Sequence, residues 1–491
     1  MFKIFKNMIR YLLIFLLVIP LFFIQISSEQ VMIIYIKPDG TFDPPYAPLK
    51  VQENTYILTR EIKGRFIIQR SGIVLDGSNY TLNGIKEFGF YGIELRKVRN
   101  IEIKNFKIKD FDIGIYIESS NNILIKNTFI FNSNIGLKII NSQKINFIFN
   151  NIYDNKYGIY IEESFNNMFK NNLVFNNDFG VMIVYSEDNV FLNNSLRNDS
   201  FFIEMSFKNQ FINNTVNDKQ LLYLENVKDK VVENLELGQL IVLNSKNLTI
   251  KNILIKNSEV GIFAYNLTSS KIFKNKLFEN KFTAIYMENS SNNLIFMNEI
   301  NNNFHGINLR NSLNNTLLNN FITKNDVGIY FDFSSNNTIM NNTFQENIKG
   351  IYLFKSYNNY IYHNNFIKNK LHAETKDSRN IWNKNYPEGG NYWSNFNCTD
   401  NKKGENQDID GSDGICDIPF VIDNFNIDKY PFVNEIKFVK EEINKTTYFE
   451  SPKDKTEANF KEADQFLIYL VITVVATAIF IYIIFRRFKK R

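Results

Sequence analysis

Between about Gly92 and His372, apolar and polar residues alternate in short runs that return every 22 residues. Isoleucine or leucine falls one and three places after a recurring glycine, as at Ile115 and Ile117, Ile159 and Ile161, Ile307 and Leu309, and Ile351 and Leu353. That glycine stands at Gly92, Gly114, Gly136, Gly158 and Gly180, and again at Gly306, Gly328 and Gly350. Period-2 alternation over so few residues predicts short strands. Six places after the glycine slot comes serine (Ser164, Ser186, Ser312, Ser334, Ser356, Ser378), usually followed within three residues by a pair such as Asn166-Asn167, Asn314-Asn315 or Asn336-Asn337. This is turn chemistry at a fixed offset.

One unit of short strands cannot bury its apolar face until its neighbours stack on it, so a fixed period near 20 residues predicts a solenoid. The unit is too short for a helix pair, and its inward columns are Ile-rich where a leucine-rich repeat demands leucine. The expected fold is all-β, a right-handed parallel β-helix of about 22 residues per coil. Roughly fourteen coils at about 4.8 Å would make one rod on the order of 65 Å long. Asparagine, about 15% of the chain, recurs at Asn172, Asn194 and Asn214, and at Asn298, Asn320, Asn342 and Asn364, a spacing that allows amide ladders from coil to coil. From Phe202 to Gly238 the frame slips: Phe202 and then about Leu221 take the glycine slot, and the coils there should bulge or bend. Regular spacing returns at Gly261, Ala284 and Gly306.

The ends differ from the middle. After Lys3, Lys6 and Arg10 the chain runs uncharged from Tyr11 to Ile26, which reads as a signal peptide over residues 1–28. Residues 29–91 should form an N-terminal cap and first coils, residues 92–380 the repeats, and residues 381–434 a C-terminal cap holding both tryptophans, Trp382 and Trp393. Residues 435–465 are Lys/Glu-rich and read as a charged stalk. Residues 466–485 are uncharged, about 30 Å as a helix, and predict one transmembrane span. The basic tail 486–491 then lies in the cytoplasm and the repeats outside. The net charge is +5, but setting aside the eight basic residues that flank the two apolar runs leaves −3 between them. Nucleic acid is therefore not an expected partner.

The candidate chemistry is sparse. Asn406, Asp408, Asp410, Gly411 and Asp417 stand at positions 1, 3, 5, 6 and 12 of a Ca²⁺-loop pattern, predicting a structural calcium ion on Asn406, Asp408, Asp410 and Asp417. Cys398 and Cys416, the only cysteines, flank this loop in a chain headed out of the cell, where a disulfide is the default; closing such a loop is worth roughly 3 kcal/mol. Glu288, Arg310 and Asp332 share one slot in successive coils and should form an alternating charge ladder, as should Arg96 and Glu118. The slot two places after the glycine points outward and holds Tyr116, Tyr160, Tyr286, Tyr330 and Tyr352. Tyr286, Tyr330 and Tyr352 are candidates for stacking sugar rings, or for a cross-strand aromatic ladder that stabilises the sheet. His305, His363 and His372 are scattered, so a histidine-based copper or zinc site is not expected. Asn-x-Ser/Thr triplets at Asn79, Asn193, Asn213, Asn247, Asn336, Asn341 and Asn444 are glycan acceptors by pattern, although an Asn-rich chain produces such triplets by chance.

Certain segments carry a resemblance. Tyr56-Ile57-Leu58-Thr59 through Ile73-Val74-Leu75-Asp76-Gly77, the unit from Asn336 to Leu353, and above all Gly389-Gly390-Asn391-Tyr392-Trp393-Ser394 followed by Asp410-Gly411, Asp413-Gly414-Ile415, Asp417-Ile418-Pro419 and Asp428 to Pro431 resemble the NosD-like family of secreted right-handed parallel β-helix proteins. The membrane-anchored form is similar to surface proteins common in archaea. The resemblance implies the fold, and for function a membrane-anchored extracellular protein for carbohydrate binding, adhesion or envelope structure. A polysaccharide lyase or hydrolase and, third, copper handling are the alternatives.

Overall fold

Each 22-residue unit folds as three strands around a triangular core. In one coil these are Ile113–Glu118, Asn121–Lys126 and Phe129–Phe131, and each pairs in parallel register with its counterpart 22 residues on, as Tyr116 with Lys138, Leu124 with Asn146 and Ile130 with Ile152. The structure, a computed structural model, describes residues 31–438. They form an all-β, right-handed solenoid of about 15 turns within a compact unit that ends at Ile436. Ile115, Ile117, Ile123, Ile125 and Ile130 are fully buried, each worth about 1.5–3 kcal/mol of burial that exists only because a coil above and a coil below close the core. The predicted signal peptide, transmembrane span, basic tail and nearly all of the stalk lie outside the described residues. Among the described residues no helix is long and apolar enough to cross a membrane.

The glycine column has a steric cause. A Cβ on Gly328 would sit 2.5 Å from the carbonyl oxygen of Gly350 and 3.2 Å from Ile322 and Phe344 side chains, so the backbone of one coil lies where a side chain would go. The Asn pairs divide two tasks between them. In Asn336-Asn337 the first residue is exposed and left-handed (φ 56°), a conformation asparagine tolerates. The second is buried and donates its side-chain N–H to Asn359 Oδ1 (3.0 Å) and to the carbonyl of Ser312 (3.1 Å). The spaced asparagines form ladders: Asn172 to Asn194 to Asn214, each at 2.9 Å, and Asn298 to Asn320 to Asn342 to Asn364 at 2.9–3.0 Å. Buried amides are satisfied by the next coil, which is why so polar a column can stand inside the fold.

The expected single rod is interrupted once. At Asn217 (φ 51°) and Asp218 (φ 60°) a two-residue turn with both residues left-handed reverses the chain, and Thr215–Val216 pairs antiparallel with Lys219–Glu225. The second segment then builds its own parallel stack, and the apolar core divides in two. Val181 pairs with Phe201, so the glycine slot of the last first-segment coil is held by Ser200 and not by Phe202; that coil is two residues short. Side chains of the second segment cover the open edge. Gln239 accepts from Phe201 N (3.0 Å) and donates to Phe201 O (2.7 Å). Glu259 accepts from Gly180 N (2.8 Å), and Lys281 donates to the carbonyls of Asn177 and Asn198. An unpaired parallel edge is thereby closed by its own chain.

This junction buries acid. Glu259 also accepts from the Ser200 hydroxyl (3.1 Å); burial, reinforced by nearby Asp199, raises it well above the ordinary carboxylate range. Burial likewise pushes Asp199 up to about 7, against hydrogen bonds from Asn177 and the charge of Lys281 and with Asp178 acting in the same upward sense. The unfolded chain releases both protons near the ordinary values of 3.8 and 4.5, so the folded state binds more protons as pH climbs through the window from about 4 to 7, and stability falls with it. Melting should therefore occur several degrees higher near pH 5 than near pH 8. Glu259→Gln combined with Asp199→Asn should flatten that slope in a series of thermal melts; an unchanged slope would mean the pair ionises in the folded junction as readily as in the unfolded chain.

The C-terminal cap continues the coil's own columns. Asn391 extends the ladder from Asn364 (3.0 Å), and Trp393 stacks on Phe366 at 4.3 Å, extending the Phe344–Phe366 pair. Asp428, fully buried, ends both by accepting from Asn391 N (2.7 Å) and Trp393 Nε1 (2.9 Å). At the other end, Met32–Ile36 pairs in parallel with Ile62–Ile68 and a hairpin of Leu49–Gln52 and Thr55–Leu58 closes a second face.

Candidate functional site

Three outward columns run down the first face of the second segment, at one place before and at two and four places after the glycine slot. The middle column reads Phe263, Tyr286, Asn308, Tyr330, Tyr352 and Glu374. Tyr286 is only 3% exposed, because the end of the first segment lies over it: the Phe202 ring is 5.6 Å away and Phe263 stacks at 5.3 Å. Tyr330 and Tyr352 stack on each other at 5.4 Å and 14°. The remaining face of Tyr330 meets the His305 ring at 5.1 Å, and that of Tyr352 meets Lys349 Nζ at 4.7 Å. Tyr286 is thus buried, and Tyr330 and Tyr352 cover one face of each other because rings in register stack along the solenoid axis. Tyr116 is likewise buried, stacked on Tyr91 at 4.7 Å.

This face also holds buried polar atoms without protein partners. The charge ladder forms as spaced, with Arg310 3.8 Å from Glu288 and 3.7 Å from Asp332, and Tyr286 donates to Glu288 (2.9 Å). Three buried polar atoms on adjacent strands have no partner: His305 Nδ1, Asn308 Oδ1 and Asp332 Oδ1. Asn308 interrupts the aromatic column with an amide that is 4% exposed. Burial pushes His305 down to about 4, so its imidazole is neutral at neutral pH and has both a donor and an acceptor nitrogen. Burial raises Glu288, and the carboxylate of Glu204 acts in the same direction. Glu204 belongs to the first segment, two residues beyond the Phe202 that covers Tyr286. The column register alone keeps Glu204 and Glu288 coils apart; the junction, which lays Phe202 over Tyr286, lets the Glu204 charge reach Glu288. Carboxylates outnumber the single guanidinium here, so the patch suits neutral hydroxyl-bearing ligands better than polyanions.

The predicted calcium ligands are not gathered. Asp417 accepts from the backbone N–H groups of Asn401 (3.0 Å) and Lys402 (2.9 Å), Asp410 extends into solvent and pairs with Lys402, and Asn406 and Asp408 are exposed. Asp400 braces the same loop by accepting from Ser412 (2.6 Å) and Asp413 N (3.0 Å). Among the described residues no three of His, Cys, Asp and Glu converge as a metal-binding group. Backbone amides take up the Asp417 carboxylate, and the other three side chains face solvent. Cys398 and Cys416 are joined in a disulfide, their Cα atoms 5.3 Å apart, a separation usual for the bond.

A coil of three parallel faces around an aliphatic core defines the class as a right-handed parallel β-helix, and residues 91–234 match the family model described as right handed beta helix region. Residues 203–398 match the model described as periplasmic copper-binding protein (NosD), and the two matches together support a NosD-like parallel β-helix family. No curated protein matches it. Solved structures similar to it include the periplasmic alginate epimerase AlgG (16% identity, 68% of this chain and 69% of that one, TM-score 0.25) and the A-module of the Azotobacter vinelandii mannuronan C-5 epimerase AlgE4 (12%, 64% and 90%, 0.26). Bacteriophage CBA120 tailspike protein 3 is a third (11%, 71% and 58%, 0.25). The copper in the family description finds no converging donor set among the described residues. His305 and His372 are buried three coils apart, His363 bonds the carbonyl of Glu388 (2.7 Å), and both cysteines are oxidised.

Proposed function

We propose that this is a cell-surface β-helix protein, held by a single C-terminal span with its coils outside, that binds neutral glycans on the outer first face of its second segment. The observation that carries the reading is the grouping of His305 Nδ1, Asn308 Oδ1 and Asp332 Oδ1 without partners beside Arg310. Buried polar atoms are rarely left unpaired, and sugar hydroxyls both donate and accept. Recognition is then edge-on and hydrogen-bonded, with Tyr330 and Tyr352 contributing ring edges and hydroxyls. The basic and apolar patterning at both chain ends supports the external, anchored placement. Neither calcium nor copper has a part in this reading.

A glycan array probed with residues 31–438, which contain both cores and the cap contact between Ile436 and Asn365 (2.9 Å), tests it. Asp332→Ala or Asn308→Ala should weaken binding of any retained neutral oligosaccharide by roughly tenfold, about the worth of one or two hydrogen bonds, with melting little changed. Unaltered binding in both variants would refute the site. The approach of Glu204 to Glu288 favours a second reading, a polysaccharide hydrolase or lyase, and product analysis on each retained glycan separates it from binding alone.

A further inference from the structure

The asparagines of this chain fall into two populations with opposite environments. Ladder asparagines are buried with their amides bonded into neighbouring coils, whereas turn asparagines are exposed or half-buried at positive φ. Most Asn-x-Ser/Thr triplets among the described residues begin with the second kind. Three of them, Asn289-Ser290-Ser291, Asn314-Asn315-Thr316 and Asn336-Asn337-Thr338, line the corner where the first face of the second segment turns into the second face. All three lead asparagines are exposed, with φ of 50°, 55° and 56°. The isolated parallel bridges Ser291 to Leu313 to Ser335 keep this corner in register from coil to coil.

Transfer of a glycan to asparagine needs a reachable side-chain nitrogen and a hydroxyl two residues on. Among the described residues the amides of Asn289, Asn314 and Asn336 donate to no partner, and the hydroxyls of Thr316 and Thr338, at the starts of their strands, carry no hydrogen bond. Two other triplets on the same corner differ. Asn247 gives its amide to Asp229 Oδ1 (2.6 Å) and Asn266 to Asn244 Oδ1 (2.9 Å). We propose that Asn289, Asn314 and Asn336 are N-glycosylation sites, so that this corner of the second segment is sheathed in covalently attached sugar. The donor is an oligosaccharide carried on a lipid pyrophosphate. The asparagine nitrogen forms a bond to C1 of the donor sugar as the C1–O bond to pyrophosphate breaks; one amide proton passes to the base of the transferring enzyme, and the lipid pyrophosphate leaves with the electron pair.

This inference rests on export of the chain and is independent of the glycan-binding face. Full-length protein extracted from its native membranes should give peptides containing Asn289, Asn314 and Asn336 with glycan mass, while peptides of Asn247 and Asn266 are modified less. Thr338→Ala, which keeps Asn336 and its turn, should remove the modification at Asn336, and Thr338→Ser should restore it, with the melting of the polypeptide core unaltered. Peptides of Asn289, Asn314 and Asn336 with only their sequence mass would overturn the proposal, as would modification at Asn336 that survives Thr338→Ala. Protease treatment of intact cells, run in parallel, shows whether a negative result reflects a chain that stays inside or an exposed chain that is not modified.

Discussion

Valine in place of Gly328 should open the second segment at its centre, lowering stability by about 3 kcal/mol and making coils near residues 306–350 the first sites of cleavage in limited proteolysis. The alanine variant should cost less. The reason lies in the slot: the first added carbon meets the Gly350 carbonyl oxygen at 2.5 Å, a backbone atom that cannot move without shifting a coil. A second branch then enters the space held by Ile322 and Phe344. Ala284 shows the tolerance of the fold, since it occupies the same slot opposite Gly261, and the interval between them is one residue longer than the usual 22. Because a solenoid transmits stability through nearest neighbours, the damage should stay local to the second segment. Denaturant midpoints for Gly328→Ala and Gly328→Val with peptide mapping of the first cuts would check this; equal effects of the two would show that space is not what excludes a side chain.

Trp393→Ala should have an effect of similar size, about 3–5 kcal/mol, and should free the C-terminal cap. The indole is sandwiched between Phe366 at 4.3 Å and Phe420 at 4.1 Å, and its N–H bonds the buried carboxylate of Asp428. Truncation removes two stacking contacts and one of the donors that make Asp428 tolerable in the core. Burial already pushes Asp428 up to about 7, so losing a donor should raise it further. Proteolysis should then begin between residues 394 and 431 while the central coils persist. Trp393→Phe, which keeps the stack and loses the N–H, should recover most of the stability; failure to recover any would place the hydrogen bond above the packing.

The resemblance noted in the exit segment now has a physical content. Asn391 and Trp393 are the next members of columns that begin many coils earlier, and Asp428 is the acceptor that terminates them. The Asp-rich stretch between them carries alternate carboxylates around a glycine, the spacing of an ion-binding loop. In the fold the carboxylates of Asp400 and Asp417 turn toward backbone N–H groups of their own loop. Spacing alone does not report where such groups point.

Much of this protein follows from the sequence by itself, because a 22-residue period gives every coil nearly the same surroundings. The inward aliphatic columns, the glycine slot, the two-part Asn turn, the amide ladders and the alternating charges at Glu288, Arg310 and Asp332 each depend only on neighbours one coil away, and translation along the axis repeats them. Tertiary structure alone decided what happens where the period fails. A two-residue turn at Asn217 and Asp218 ends one stack and starts another, and the choice of which flank covers the open edge depends on Gln239, Glu259 and Lys281, far along the chain. That packing buries Tyr286, sets Glu204 near Glu288 and shuts Asp199 away from water. No periodic pattern encodes these contacts, since they join positions that the repeat treats as unrelated.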